Sequence, residues 1–309
     1  MTTLQPTVAP VRPFLDWPVV TDPSKWDAQV ALIGIPRSEP YPNDPQPNDQ
    51  SRAPEAIRSK SRTFCYAPGN WDFDTGIDPA SALPKKCLDL GNVPWITPYD
   101  AYSAGVTERV RHLWKQRAQV VILGGDHGVT IPVLDALDAV GEPVHILQID
   151  AHLDWREDVD GVRRGYSSPL RWASTRPAVA GMTQVGLRAI GSARRQEVEA
   201  SRAYGSKIIT AERFHAEGLD AVLATIPTGR AVYVTIDADG LDPAEMPGVM
   251  APTPGGLRFH QVAPLLRAVA RRHRVVGLDI VEVAPSFDSA NGITCVTAGR
   301  LILNVLVAS

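Results

Sequence analysis

Long apolar runs are missing from this chain. No stretch approaches the ~20 consecutive apolar residues that a membrane-spanning helix needs, so no helical membrane span is expected. Cysteine is scarce. Cys65, Cys87 and Cys295 are too few and too scattered for a disulfide framework or a cysteine-based zinc site. They read as reduced, mostly buried thiols of a cytoplasmic protein. An excess of one charge is also lacking: the formal net charge is -3, which points away from nucleic acid or an anionic membrane as the main partner. The first residues, MTTLQPTVAPVRPF, have neither a basic nor an apolar block, so no signal peptide is expected. With 44% hydrophobic and 21% charged residues, 309 residues can still bury a sizeable core.

Proline is plentiful instead. Residues 1–27 carry Pro6, Pro10, Pro13, Pro18 and Pro23, which forbid a regular helix and favour an extended arm. Such an arm could wrap its own domain, wrap a neighbouring subunit, or move freely. From residue 28 to residue 309 the pattern is that of one domain. Short apolar runs at 30–36, 87–90, 120–123, 144–149, 183–187, 207–209, 231–236 and 275–281 read as strands. Amphipathic stretches at 101–117, 196–204, 261–271 and 297–307 read as helices. Residues 53–61, with Pro54 in the first turn, look like another helix start. This alternation predicts an α/β fold with a mainly parallel sheet covered by helices on both faces. The loop at 37–50, RSEPYPNDPQPNDQ, is long enough to suggest a functional role or disorder.

In such folds ligands bind where loops leave the carboxyl ends of the strands. Three of those ends carry unusual residues: Gly124-Gly-Asp-His127, Asp150-Ala-His-Leu-Asp154 and Asp237-Ala-Asp-Gly-Leu-Asp-Pro243. If the extended backbone continues, Asp150, His152 and Asp154 project to one side, and so do Asp237 and Asp239. Converging buried carboxylates need compensating charge, and divalent cations supply it. Oxygen and imidazole donors without thiolates suit Mn²⁺, and imidazole also suits Ni²⁺, Zn²⁺ or Fe²⁺. A lone Asp after a strand is often only a helix cap or turn residue, but three such clusters at three strand ends are hard to read as caps. Asp126 and Asp242 read as loop-organising residues. His145, His215, His273 and Cys295 read as structural or solvated.

These motifs, in this order, resemble the ureohydrolase family of arginases, agmatinases and their relatives. Similarity runs from about Val30 to the C-terminus, and residues 279–285, DIVEVAP, look more like agmatinases than arginases. The resemblance implies that His127, Asp150, Asp154 and Asp237 hold one metal ion. Asp150, His152, Asp237 and Asp239 would hold the other, both Mn²⁺ or Ni²⁺. It also implies attack of a metal-bridging hydroxide on a guanidino carbon, with Asp154 orienting the hydroxide and Glu282 accepting hydrogen bonds from the guanidinium. A homo-oligomer, trimer or hexamer, is expected, or a hetero-oligomer with a paralogue. The chain departs from the family pattern in three places. Gly128 stands where Ser is frequent, and Asn92 where Asp is usual. Ser167 and Ser168 fill a loop that in many agmatinase-like members reads Ser-His-Gly. Ser167, Ser168, Tyr166 and Trp155 are therefore candidate substrate contacts. Core packing is an equal alternative for Trp155 and Trp172. The altered loop also motivates a second reading, a weakly active metal-binding subunit supporting an active paralogue. A single-zinc, deacetylase-like hydrolase is a third, although six candidate ligands exceed the need of one zinc.

Overall fold

The computed structural model describes residues 4–43, 49–65, 67, 69–191 and 193–309. Each of the eight apolar runs forms a strand: β1 (Val30–Gly34), β2 (Cys87–Asn92), β3 (Gln119–Leu123), β4 (Val144–Ile149), β5 (Val179–Leu187), β6 (Lys207–Thr210), β7 (Ala231–Asp237) and β8 (Val275–Val281). They build one sheet in the order β2-β1-β3-β8-β7-β4-β5-β6. Every neighbouring pair is parallel.

Alternation along the strands divides the core in two. Val30 and Leu32 of β1, Leu147 and Ile149 of β4, and Val232, Val234 and Ile236 of β7 face one side. There they meet the helices Ala53–Phe64, Phe259–Arg272 and Ile293–Leu306. Ala31, Ile33, Val144, Ile146 and Tyr233 face the other side, against the helices Tyr99–Lys115 and Thr130–Leu134. Both faces are covered, so the central strands are buried along their whole length and mostly apolar, as the parallel arrangement requires. Among the described residues no helix is long and apolar enough to cross a membrane.

The proline-rich arm, from residue 4 on, lies on its own domain. Val8 and Asn92 exchange backbone hydrogen bonds of 2.8 and 2.7 Å, and Val19 bridges to Asp89. The arm therefore covers the open edge of β2, where unpaired backbone groups would otherwise be exposed. Phe14 and Trp17 enter the core. Of the loop at 37–50, residues 44–48 lie outside the described residues.

Candidate metal centre

Four adjacent strands, β3, β8, β7 and β4, end beside one another, and each delivers candidate side chains at its carboxyl end. After β3 the chain turns through Gly124 and Gly125. A side chain at Gly125 would collide with the carbonyl of Arg37, so glycine is required there. Asp126 accepts the backbone N–H of Gly128 at 2.9 Å and of Glu39 at 2.7 Å. It organises the loop and stands outside the His/Asp groups. His127 Nδ1 then lies 2.8 Å from Asp154 Oδ2 and 3.3 Å from both Asp150 Oδ2 and Asp237 Oδ2. His152 Nδ1 lies 3.1 Å from Asp239 Oδ2 and 3.6 Å from Asp150 Oδ1. Two groups able to hold a metal ion result, His127–Asp150–Asp154 and Asp150–His152–Asp239, and they share Asp150.

The route to this convergence differs from simple strand alternation. β4 ends at Ile149, and Asp154 has φ +52°, a left-handed conformation uncommon for a residue with a side chain. The chain therefore curls, rather than extends, through DAHLD. Glu282, just past β8, also has a positive φ of 61°. Two candidate residues held in a sparsely populated backbone region fit a site whose surroundings over-determine its geometry.

A chain of hydroxyls fixes His127 from behind. Its Nε2 is 2.9 Å from Thr235 Oγ1, and Thr235 donates to Asp279 Oδ1 at 2.6 Å. Asp279, fully buried in β8, also accepts from Thr130 and Tyr233. Since Thr235 gives its proton to Asp279, Nε2 is best assigned as the protonated nitrogen, leaving the Nδ1 lone pair facing the carboxylates. Nδ1 makes no completed hydrogen bond there. A lone pair directed at three carboxylate oxygens is tolerable only with a proton or a cation between them. Gln148 and Gln184 support Asp150 in turn: Gln148 Nε2 donates to Asp150 Oδ2, and Gln184 Nε2 to Gln148 Oε1, both at 2.6 Å.

Without a cation the site draws in protons. Burial, then the Asp150 charge, pushes Asp154 up to about 7. Burial, then the charges of Asp239 and Asp150, raises Asp237 well above the ordinary range. Burial disfavours charge on His152, yet its contacts with Asp150 and Asp239 push it up to about 12. His127 is likewise raised against the effect of burial, chiefly by Asp154. Asp150 alone is held low, because its histidine contacts outweigh burial. A buried donor set of aspartates and imidazoles, without thiolates, fits divalent cations.

Glu282 lies beside the cluster. Its Oε1 accepts the His127 backbone N–H at 2.7 Å and its Oε2 accepts Gln50 Nε2 at 2.8 Å. Burial, then the Asp126 charge, pushes it up to about 8. Each oxygen keeps a second lone-pair direction for another donor. Ser167 donates its backbone N–H to Tyr41 Oη at 2.9 Å, and the Tyr166 ring packs 4.3 Å from that of Tyr41. Trp155 is 3% exposed and packs its ring on Tyr204, which fits the core-packing alternative. Trp172 donates Nε1 to Asp135. His145 is a core residue bonded to Thr183, and burial pushes it down to about 4. His215 is exposed, while His273 and Cys295 are buried, and none joins the His/Asp groups. Gln50, Gln148, Thr235 and Asp279 escaped the sequence reading. For the last three the available signal was a polar residue inside an otherwise mostly apolar strand, as in VVGLDIV.

A sheet of this order, with His and Asp side chains gathered at its carboxyl edge, defines an α/β protein with a metal-type centre. Comparison with known proteins narrows this further. A profile of the Arginase family matches residues 28–308. An N(1)-aminopropylagmatine ureohydrolase of Thermus thermophilus is 36% identical over 243 residues, 76% of each chain. Proclavaminate amidinohydrolase of Streptomyces clavuligerus is 30% identical over 308 residues, covering 96% of this chain and 93% of that one. The solved structure of proclavaminate amidino hydrolase from Streptomyces clavuligerus superposes with a TM-score of 0.78 at 27% identity, over 99% of this chain and 100% of that chain. The chain belongs to the arginase family, on its agmatinase-like branch, and is a hydrolase.

Proposed function

We propose that this hydrolase cleaves a guanidino-type C–N bond, giving urea or a substituted urea and an amine. The observation that carries the reading is the pair of His/Asp groups sharing Asp150 at the carboxyl edge. The names of the amidinohydrolase and ureohydrolase relatives support the substrate class. His127, Asp150, Asp154 and Asp237 would hold one divalent ion, and Asp150, His152, Asp237 and Asp239 the other. Bound there, Mn²⁺ or Ni²⁺ supplies water activation near neutral pH and charge compensation at the reacting carbon.

The chain's own groups do the rest. Glu282, fixed by Gln50 and the His127 amide, accepts hydrogen bonds from the planar guanidinium, for which a carboxylate fork is the natural partner. Asp154 takes the proton given up by the attacking water and passes it to the departing amine nitrogen as that nitrogen's bond to carbon breaks. Ser167, Ser168 and Tyr166 contribute hydrogen bonds and ring surface on the loop after β4. No imidazole stands among residues 165–172, so proton movement rests on Asp154 and solvent. Small or alkylated guanidines and biguanides are accordingly favoured over a long-tailed amine such as agmatine. The working form is a cytoplasmic homo-oligomer.

A urea-release screen over agmatine, guanidinobutyrate, guanidine and biguanides, with protein loaded separately with Mn²⁺ and Ni²⁺, tests this. Urea from none of them with either metal overturns the reading. Activity that emerges only on adding a paralogous chain favours the supporting-subunit alternative, which the replaced loop histidine motivates.

A further inference from the structure

The connection from β4 to β5 does more than present Ser167 and Ser168. It encloses a second cavity, of about 520 Å³, whose wall carries Arg156, Arg163, Arg164, Arg171 and Arg176. Glu157 is the one carboxylate among the described residues of that wall. It is shared by two of the arginines, 3.2 Å from Arg163 and 4.0 Å from Arg171. The other neutralising carboxylates, Asp100 for Arg164, Asp135 for Arg176 and Glu197 for Arg156, stand outside the lining.

Two further observations mark the cavity as a built site. First, its guanidinium groups are held in place. Arg176 and Arg164 lie 4.6 and 5.9 Å from the centre of the Trp172 ring, and that ring is pinned by its 2.8 Å hydrogen bond to Asp135. Stacking on an aromatic face orders an arginine before any ligand arrives, which lowers the entropic cost of binding. Second, Ser168, on the same wall and only 1% exposed, has an Oγ with no hydrogen-bond partner among the described residues. A buried hydroxyl without a partner is costly and calls for one.

We propose that this arginine-walled cavity binds a small oxyanion, a carboxylate or phosphate. Planar guanidinium forks match the oxygens of both groups, and the volume suits a small molecule. The ligand is either the anionic tail of the guanidino substrate or a free phosphate. In both cases it sits on the segment that holds Asp154, because the N–H groups of Leu170 and Arg171 donate to the Asp154 carbonyl at 3.2 and 3.1 Å. Anion binding as such does not depend on the hydrolase reading; only the substrate-tail source does.

The test is calorimetric titration of the full-length, metal-loaded protein and of its chelated form. The probes are inorganic phosphate, pyrophosphate and 4-guanidinobutyrate. The variants are R171Q/R176Q and R163Q, with melting temperature as the folding control. At least one probe should bind one equivalent per chain, with or without metal, and weaken about tenfold or more in R171Q/R176Q. A smaller loss is expected in R163Q, whose side chain is 68% exposed and which decides the matter if the double variant does not fold. A substrate tail is indicated if the KM for guanidinobutyrate rises in the variants while that for guanidine stays fixed. A separate ligand is indicated if phosphate binds and guanidinobutyrate turnover ignores the variants. Absence of binding, or binding that folded variants leave unchanged, overturns the proposal whatever the enzyme hydrolyses.

Discussion

Two clusters of buried charge lie in this molecule, and they are built to opposite rules. At the β2 edge, Arg58 and Asp89 are both removed from water and close on each other. Arg58 Nε donates to Asp89 at 2.8 Å and its remaining nitrogens to Asp89, Asn92 and the Gly91 carbonyl. Asp89 also takes the amides of Phe14 and Gly91. One positive group meets one buried negative group, with the partly exposed Glu55 3.9 Å away, and each guanidinium nitrogen is used. At the carboxyl edge, four aspartates meet two imidazoles, and the negative charge is left uncompensated unless protons or cations enter. A closed cluster holds the fold together; an open one is a binding site. Burial of charge alone does not tell them apart, but the balance of donors against acceptors does.

The comparison can be broken at either end. The largest effect is expected from Asp150→Ala, which removes the residue common to both metal-type groups. Activity should fall on the order of 10³-fold or more, and elemental analysis should show less than one ion per chain while the fold survives. Arg58→Met should do the reverse. Stranding Asp89 without its partner costs about 3–5 kcal/mol, read by urea denaturation, and the metal content of the folded fraction should be unchanged. Metal loss in Arg58→Met equal to that in Asp150→Ala would erase the distinction between the two clusters.

Finer changes sharpen it. Glu282→Gln keeps the side chain's shape but loses its charge and one of its two acceptor oxygens, so turnover should drop roughly a hundredfold with metal stoichiometry intact, a few kcal/mol for a charge-assisted contact. Thr235→Val cuts the support behind His127. Metal affinity should weaken about 10–100-fold, measured by chelator competition. The smallest effect concerns pH. In metal-free protein Asp154 and Glu282 keep protons up to about 7 and about 8, above the ~4 of an unfolded carboxylate. The folded state therefore binds more protons than the unfolded state across that interval, and stability present below it is lost as the pH rises through 7 and 8. The melting temperature of chelated protein should fall between about pH 5 and pH 9, and metal should remove most of that fall. A chelated protein growing more stable with rising pH contradicts the open-cluster picture.

Much of this was legible in the sequence because it is local. A buried parallel strand writes itself as an apolar run, and a ligand at its end breaks that run abruptly. The rest depends on contacts between distant segments. Gln50 reaches Glu282 across 232 positions, and nothing near either residue announces the other. Gly128 and the Ser167–Ser168 loop look like separate departures from the family pattern, yet they touch. A side chain at Gly128 would lie 3.3 and 3.4 Å from backbone atoms of Gly165 and Arg164 and 2.9 Å from Asp126 Oδ1. The loop packs where a serine would intrude, so the two departures are one structural change. Asn92 likewise belongs to the Arg58 cluster, donating to Glu55 at 2.6 Å, and has no place near the metal-type groups. Which of the two readings of Trp155 holds depends on the left-handed turn at Asp154, and no residue type marks that position in advance.

The position of β8 has a bearing on how the molecule comes into being. In chain order it is the last strand, yet in the sheet it lies between β3 and β7. His127 belongs to the half made first, β2-β1-β3, whereas Asp150 and Asp237 belong to the other half. During synthesis the two halves can each pair internally, but no strand pairing joins them until residues 275–281 leave the ribosome and slot into the gap. A nascent chain stopped before that point carries all six candidate ligands on two half-sheets that are not yet paired. Assembly of the site is thus tied to completion of the sheet, and a long-range closure of this kind is a slow step during which unpaired strand edges stay exposed.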